Sequence, residues 1–404
     1  MAQQKYRRLT SHTPLFWLLI ALHVIAIAAG VAAALYMETH GHGVTGMSNQ
    51  IVWGAPHVFA VFLIVSASGA LNVASVSSVF NRLNYKPFAR LSGILAIALL
   101  VGGLMVLVLD LGRPERVFVA MTTYNFRSIF AWNIYLYSGF VAIVAFYLFA
   151  MMDRRASRNQ LFGKIMGSTA FVWRLLLTMG TGSIFGFLIA RDAYYGAIMA
   201  PLFIASSLVY GLAFTVLVLV TMSHETSNQL MPEEMVGKFR GLLSLFILAT
   251  LFLTLISHLT KIYAAPFRGV EAFLLHDGGV YPLAFWLGQI LIGSLAPLAL
   301  LALADNGPTG RKMLALASLL LLLGGLAQFY VIIIGGQAYP LNIFPGYVAS
   351  SSFFDGAINA YTPSAPEILL GISGVSIAML IAALGCRLLP FLPEAPAKSE
   401  GARP

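Results

Sequence analysis

Charge and cysteine are what this chain has least of. Only 10% of its 404 residues are Asp, Glu, Lys or Arg and 59% are hydrophobic, whereas an ordinary soluble domain carries about 25% charged residues. That ratio excludes a water-soluble globule and implies a polytopic membrane protein. The single cysteine, Cys386, excludes an internal disulfide, a cysteine-ligated iron–sulfur cluster and a thiolate zinc site built by this chain alone. Acidic residues are missing from the middle of every apolar run. Pumps and many transporters place carboxylates or lysines near the membrane centre, so this absence counts against a pumping channel, although not against one built from water, His23 and hydroxyls. The apolar residues also do not alternate in short segments, which excludes a porin-like barrel.

What is present is a series of ten apolar runs, near residues 14–37, 51–79, 90–110, 127–152, 169–190, 198–222, 240–263, 281–303, 312–334 and 367–389. Crossing a bilayer as a helix takes about 20 such residues. The sequence therefore predicts an all-α integral membrane protein with ten transmembrane helices and almost nothing left for a soluble domain. The first run is too long for a signal peptide and has no small-residue cleavage site before Glu38. Assigning the loops alternately to two sides places 18 of the 24 Lys and Arg residues, Arg174 among them, on one side. By the positive-inside rule that side is cytoplasmic, and both termini are expected there. The net charge of +9 then reports topology and contact with membrane lipids, not nucleic acid.

The densest charge lies between the third and fourth runs, in Asp110-Leu111-Gly112-Arg113-Pro114-Glu115-Arg116. A carboxylate at the rim of the hydrocarbon is expensive unless paired, and Arg113 is the expected partner of Asp110. Other polar groups fall at the same outer level. His57 follows Trp53-Gly54-Ala55-Pro56 one turn into the second run, and Trp132, Asn133 and Tyr135 stand in the first turns of the fourth. Trp and Tyr also form interfacial belts, but their company with His57, Asp110 and Arg113 predicts a polar pocket at this end of the bundle. A second outer cluster comprises His258, Lys261, Tyr263, Arg268, Glu271, His276 and Asp277. His23, near mid-bilayer, is expected to donate an interhelical hydrogen bond. His40 and His42, without carboxylate support, are a weak metal signal. The stretch from Gly335 to Pro366, with Phe353, Phe354 and Tyr361 and no Lys or Arg, reads as a long outer loop that covers or docks something.

Asp110–Arg116, followed by Phe126-Arg127-Ser128 and Trp132, resembles the signature of the NrfD/PsrC (polysulfide reductase membrane subunit) family, over roughly residues 51–334. Lys261–Tyr281 and the Gly335–Pro363 stretch resemble the ten-span branch that includes DsrP of the DsrMKJOP sulfur-metabolism complex. The resemblance implies two four-helix bundles with flanking helices in the cytoplasmic (inner) membrane. The chain then divides into an N-terminal segment with the first helix (1–50), a first bundle (51–190), a second bundle (191–334), and a long external loop with the last helix and tail (335–404). The family also implies no metal or haem held by this chain and a quinone, menaquinone or ubiquinone, as substrate. Its partners would be an extracytoplasmic iron–sulfur (ferredoxin-like) subunit and further cytochrome and catalytic subunits.

On that basis the expected function is exchange of electrons between the membrane quinone pool and the iron–sulfur partner, in dissimilatory sulfur metabolism. His57, Asp110 and Arg113 are the expected catalytic residues. His57, Trp132, Tyr135 and Arg113 are the expected quinone contacts. Imidazole is the side chain that most readily exchanges protons near neutral pH, and Tyr135 could hydrogen-bond the opposite carbonyl. Two alternatives stand beside this reading: a haem-b anchor with His57 and His258 as axial ligands, and a secondary transporter, whose mark would be unwound mid-span helices.

Overall fold

A computed structural model describes residues 5–10, 13–153, 159–226, 229–341 and 356–394. In chain order its long helices are α1 (Pro14–His40), α2 (Ala55–Ser78), α3 (Leu83–Leu109), α4 (Ile129–Met152), α5 (Gln160–Gly186), α6 (Met199–Glu225), α7 (Glu233–Tyr263), α8 (Val280–Leu303), α9 (Pro308–Ala338) and α10 (Ala365–Leu388). Among the described residues nine of these are long and apolar enough to cross a membrane. Helix α5 is as long as its neighbours but carries Arg174 in its middle.

Local sequence explains the helix ends. Thr13 caps α1, its Oγ1 accepting from Phe16 N at 3.2 Å ahead of Pro14. Ser364 and Glu367 form a capping box at the start of α10. Within the membrane, α2 is interrupted at Leu71. The freed backbone is satisfied by Ser92 of α3, whose Oγ donates to Ala70 O at 2.7 Å and accepts from Ala74 N at 3.1 Å. Helices α8 and α9 widen into π turns at Ala284–Leu295 and Val331–Gly335 but stay helical, so neither unwinds as a transporter's broken helix would.

The helices close two rings. One contains α2, α3, α4 and α5, the other α6, α7, α8 and α9, and α2 and α5 of the first lean on α6 of the second. Helix α10 packs against α1, α2 and α3. Glycines set the seam between the rings: a Cβ on Gly69 would collide with Ser207 O, and one on Gly211 would collide with Ala70 N. Only residues without a side chain let two membrane helices approach this closely. A short antiparallel pairing of Tyr6–Arg7 with Leu392–Pro393 ties the two ends of the described chain together on one side.

Three expectations need correction. The fifth run begins at Gln160, nine residues before its expected start at 169, so Arg174 is inside the helix and not at the headgroups. It lies 14 residues along α5, roughly 20 Å from its start, and is 3% exposed. Its Nη2 donates to Asn72 Oδ1 at 2.8 Å, and the guanidinium stands over the Phe171 ring. Removing it from the basic side leaves the charge asymmetry in place. His23 makes no hydrogen bond among the described residues, on a helix whose central window is 17% buried. Finally, Gly336–Ala338 still belongs to α9, so the outer loop begins later than Gly335; Phe353 and Phe354 lie outside the described residues.

Candidate functional site at the outer end of the first bundle

Asp110 is the C-cap of α3, the end where a helix dipole disfavours negative charge, and it is 6% exposed. A buried carboxylate in that position needs a proton or a cation. The structure supplies imidazoles. His57, in the first turn of α2, places Nδ1 2.9 Å from Asp110 Oδ2, close enough for a charge-assisted contact although off the hydrogen-bond direction. His42 Nε2 donates to the main-chain oxygen of Asp110 at 3.1 Å and lies 3.9 Å from Oδ1. Gly112, at φ +41°, makes the turn that follows Asp110; a Cβ there would come within 3.1 Å of the His42 ring. With Nδ1 on the carboxylate, His57 Nε2 is the nitrogen left for a ligand, and the side chain is 17% exposed.

Trp53 walls the site. Its ring stacks on His57 at 6.2 Å and on Tyr194 at 6.3 Å, meets Phe185 edge-on and lies tilted against Phe130. The backbone under Trp53 is clamped by Gln337, whose Oε1 accepts from Val52 N and Trp53 N at 3.0 Å each while Nε2 donates to Trp53 O at 2.9 Å. Arg191 ties the clamp down, donating to Gln337 O at 2.9 Å and Gln50 O at 2.7 Å; burial lowers its guanidinium from the usual arginine value. Beside it Tyr361 donates to Glu367 Oε1 and accepts from Ala55 N, both at 2.6 Å. Burial, with the Glu367 hydrogen bond second, pushes the Tyr361 phenol up strongly.

Not every expected residue joins this site. Arg113 is exposed and forms no side-chain ion pair among the described residues, so the Asp110–Arg113 pairing is replaced by His57 and His42. Trp132 and Tyr135 are 49% and 37% exposed. They pin the preceding segment instead, Trp132 Nε1 donating to Phe126 O and Tyr135 Oη to Met121 O, each at 2.8 Å. Phe130, two residues before Trp132 and so on a different helix face, is the α4 side chain that reaches Trp53. Trp53 carried a usable signal, four residues before His57 at the mouth of a helix. His42 and Tyr194 carried none, because their contacts span distant parts of the sequence.

The second outer cluster lies in the other bundle. His258 Nδ1 is 2.6 Å from Glu271 Oε2, and the imidazole meets Phe285 edge-on. Lys261 is buried and donates to Ala193 O. His57 and His258 are thus each engaged with a carboxylate of a different bundle, an arrangement unlike two axial ligands of one haem.

Comparison with known proteins agrees with this architecture. The family described as "Polysulphide reductase, NrfD" matches residues 43–340. The Hdr-like menaquinol oxidoreductase integral membrane subunit of Archaeoglobus fulgidus is 29% identical over 378 residues, covering 92% of this chain and 93% of that protein. The matching polysulfide reductase chain of Wolinella succinogenes is 26% identical, covering 72% of this protein and 96% of its own length. The menaquinone reductase integral membrane subunit of Nitratidesulfovibrio vulgaris is 24% identical over 94% of this protein and 92% of its own length. With the match spanning both helical rings and the Asp110–Arg116 segment, the chain is a multi-pass integral membrane protein that belongs to the NrfD family of polysulphide reductase membrane subunits.

Proposed function

We propose that this protein is the quinone-reactive membrane subunit of a multi-subunit redox complex, with the quinone ring at His57 against Trp53. The observation that carries this reading is the His57–Asp110 contact of 2.9 Å beneath an aromatic wall that remains open at the His57 edge. Relatives named as menaquinol oxidoreductase and menaquinone reductase membrane subunits support it.

Oxidising a quinol releases a pair of electrons and a pair of protons; reducing a quinone takes both up. His57 Nε2 accepts or returns one of these protons at the ring oxygen it faces, the other oxygen exchanging its proton with solvent at the open rim, while Asp110, in contact with Nδ1, balances the imidazolium. His42, 34% exposed, links Asp110 to the outer surface and gives that proton a way out. Trp53, held from behind by Gln337 and Arg191, keeps water from the ring face. The electrons need a cluster within tunnelling reach, which this protein with its one cysteine does not build; we assign that role to an extracytoplasmic iron–sulfur subunit on the same face. Exposed Arg113, Arg116 and Arg127 beside exposed Phe118 and Phe126 suit such a docking partner. Dissimilatory sulfur metabolism, as in the DsrP branch, is the setting we favour.

The test is quinol turnover by the native complex carrying His57→Ala. Loss of a general base predicts a fall of about 10²–10⁴-fold with the subunits still co-purifying. Wild-type turnover and quinone affinity in that variant would place the site elsewhere.

A further inference from the structure

The second bundle contains a partly open cavity of about 40 Å³ lined by Thr254, Ser257, His258 and Lys261 of α7, Glu271, Gln289 of α8 and Gln328 of α9. A smaller void of about 10 Å³ shares Thr254, Gln289 and Gln328 and extends the polar lining to Thr250 and Ser294. A water needs roughly 10–15 Å³ of such space, so the larger cavity admits a few waters and no quinone ring. Glu271 and Thr254 are 2% and 4% exposed, and among the described residues Glu271 Oε1 and Thr254 Oγ1 have no hydrogen-bond partner. Leaving such atoms dry costs on the order of 1–3 kcal/mol each. Both face a space that water would fill.

Backbone geometry singles out the same place. Three π-helical segments, Phe273–Asp277, Ala284–Leu295 and Val331–Gly335, each contribute to the wall, through Leu274, through Gln289, and through Val331 and Ile332. Wide turns of this kind are rare and recur at functional sites. Electrostatics adds the sign. Lys261 faces both Glu271 and Asp192, two carboxyls against one ammonium, so the group is balanced only when one of those carboxyls is protonated. Tyr281, whose buried hydroxyl has no partner among the described residues, stacks on Tyr330 outside the cavity lining. A buried cluster left with an uncompensated charge is strongly disfavoured, and a single proton on Glu271 removes it.

We propose that the second bundle contains a one-proton binding site at the Glu271 carboxyl, held beside His258 over a hydrated cavity and separate from the His57 site. Its ligand is a proton delivered by water. The adjacent Lys261 ammonium disfavours an alkali cation at the same spot.

The purified full-length protein in lipid nanodiscs can be treated with dicyclohexylcarbodiimide, which modifies protonated carboxyls in apolar surroundings, and its peptides examined by mass spectrometry. Glu271 should be labelled, the labelling should fall about tenfold per pH unit above its midpoint, and sodium chloride should leave it unchanged. Difference infrared spectra across a pH jump should show a carboxyl band that Glu271→Gln removes while the thermal unfolding of the protein stays close to wild type. Absence of both the adduct and the band overturns the proposal. Protection by sodium also overturns it, in favour of an alkali-cation site.

Discussion

The two bundles differ in where their unsatisfied polar groups gather. In the first, the groups below the site are absorbed by the backbone: Ser66 donates to Phe62 O, Ser68 to Arg174 O and Ser75 to Leu71 O. Its candidate site lies at the outer rim, where His57 keeps an exposed edge, while Arg174 is held on Asn72 deeper in the bundle. In the second bundle the polar side chains point at one another across a void, with Gln328 bonding Tyr210 and Ser206 and Glu271 and Thr254 left for solvent. A rim site suits a ligand that arrives sideways from the lipid; a small void suits one no larger than water. On the two proposals above, one ring would handle a membrane-soluble substrate and the other a proton.

The comparison requires the rings to stay together, and the harshest way to break it is at their seam. Gly211→Val would drive a branched side chain into the backbone of α2, and overpacking of this sort costs about 1–3 kcal/mol or more. Size-exclusion and thermal-melt measurements should show loss of the monodisperse folded protein. Next comes the rim. Asp110→Asn removes the charge that balances His57 and should lower quinol turnover about 10-fold to 10²-fold, less than His57→Ala, with quinol kinetics of the complex as the readout; equal turnover in Asp110→Asn and wild type would detach the dyad from the chemistry.

A pH series sharpens the contrast on the second-bundle side. Asp192 sits above its usual carboxylate value because burial, only partly offset by Lys261, disfavours the ionised form. A raised value means its contribution to stability is present below the ordinary carboxylate range and lost as pH rises through the folded value. Asp192→Asn should accordingly gain melting temperature over wild type as pH goes from acidic to neutral; a gain that shrinks with pH would reverse the sign. The mildest effect is expected at Arg113. Being exposed and unpaired among the described residues, Arg113→Ala should change stability by no more than about 0.5 kcal/mol and act, if at all, on salt-dependent partner binding measured by co-purification.

Much of this is legible in the sequence because membrane helices are written in length and hydropathy, and the rim in where charges interrupt them. The failures have physical causes. Hydropathy misplaces Arg174 because a sliding window reads a cation as a boundary, whereas a guanidinium with an amide and an aromatic face for company can sit mid-helix. Proximity along the sequence pairs Arg113 with Asp110, while the actual partners come from residues 53 and 68 positions earlier. Depth alone groups Trp132 and Tyr135 with His57; helical phase brings Phe130 to Trp53 instead. The cavity has no signature, since wide helical turns depend on packing against neighbours.

The glycine contact between α2 and α6 also limits how the halves can communicate. Main chain lies against main chain there, so a shift of either helix by one residue would push a bulkier neighbour of Gly69 or Gly211 into a carbonyl. Sliding is therefore closed off as a signal. Coupling between the rings is thereby left to side-chain and electrostatic changes and not to one helix sliding along the other.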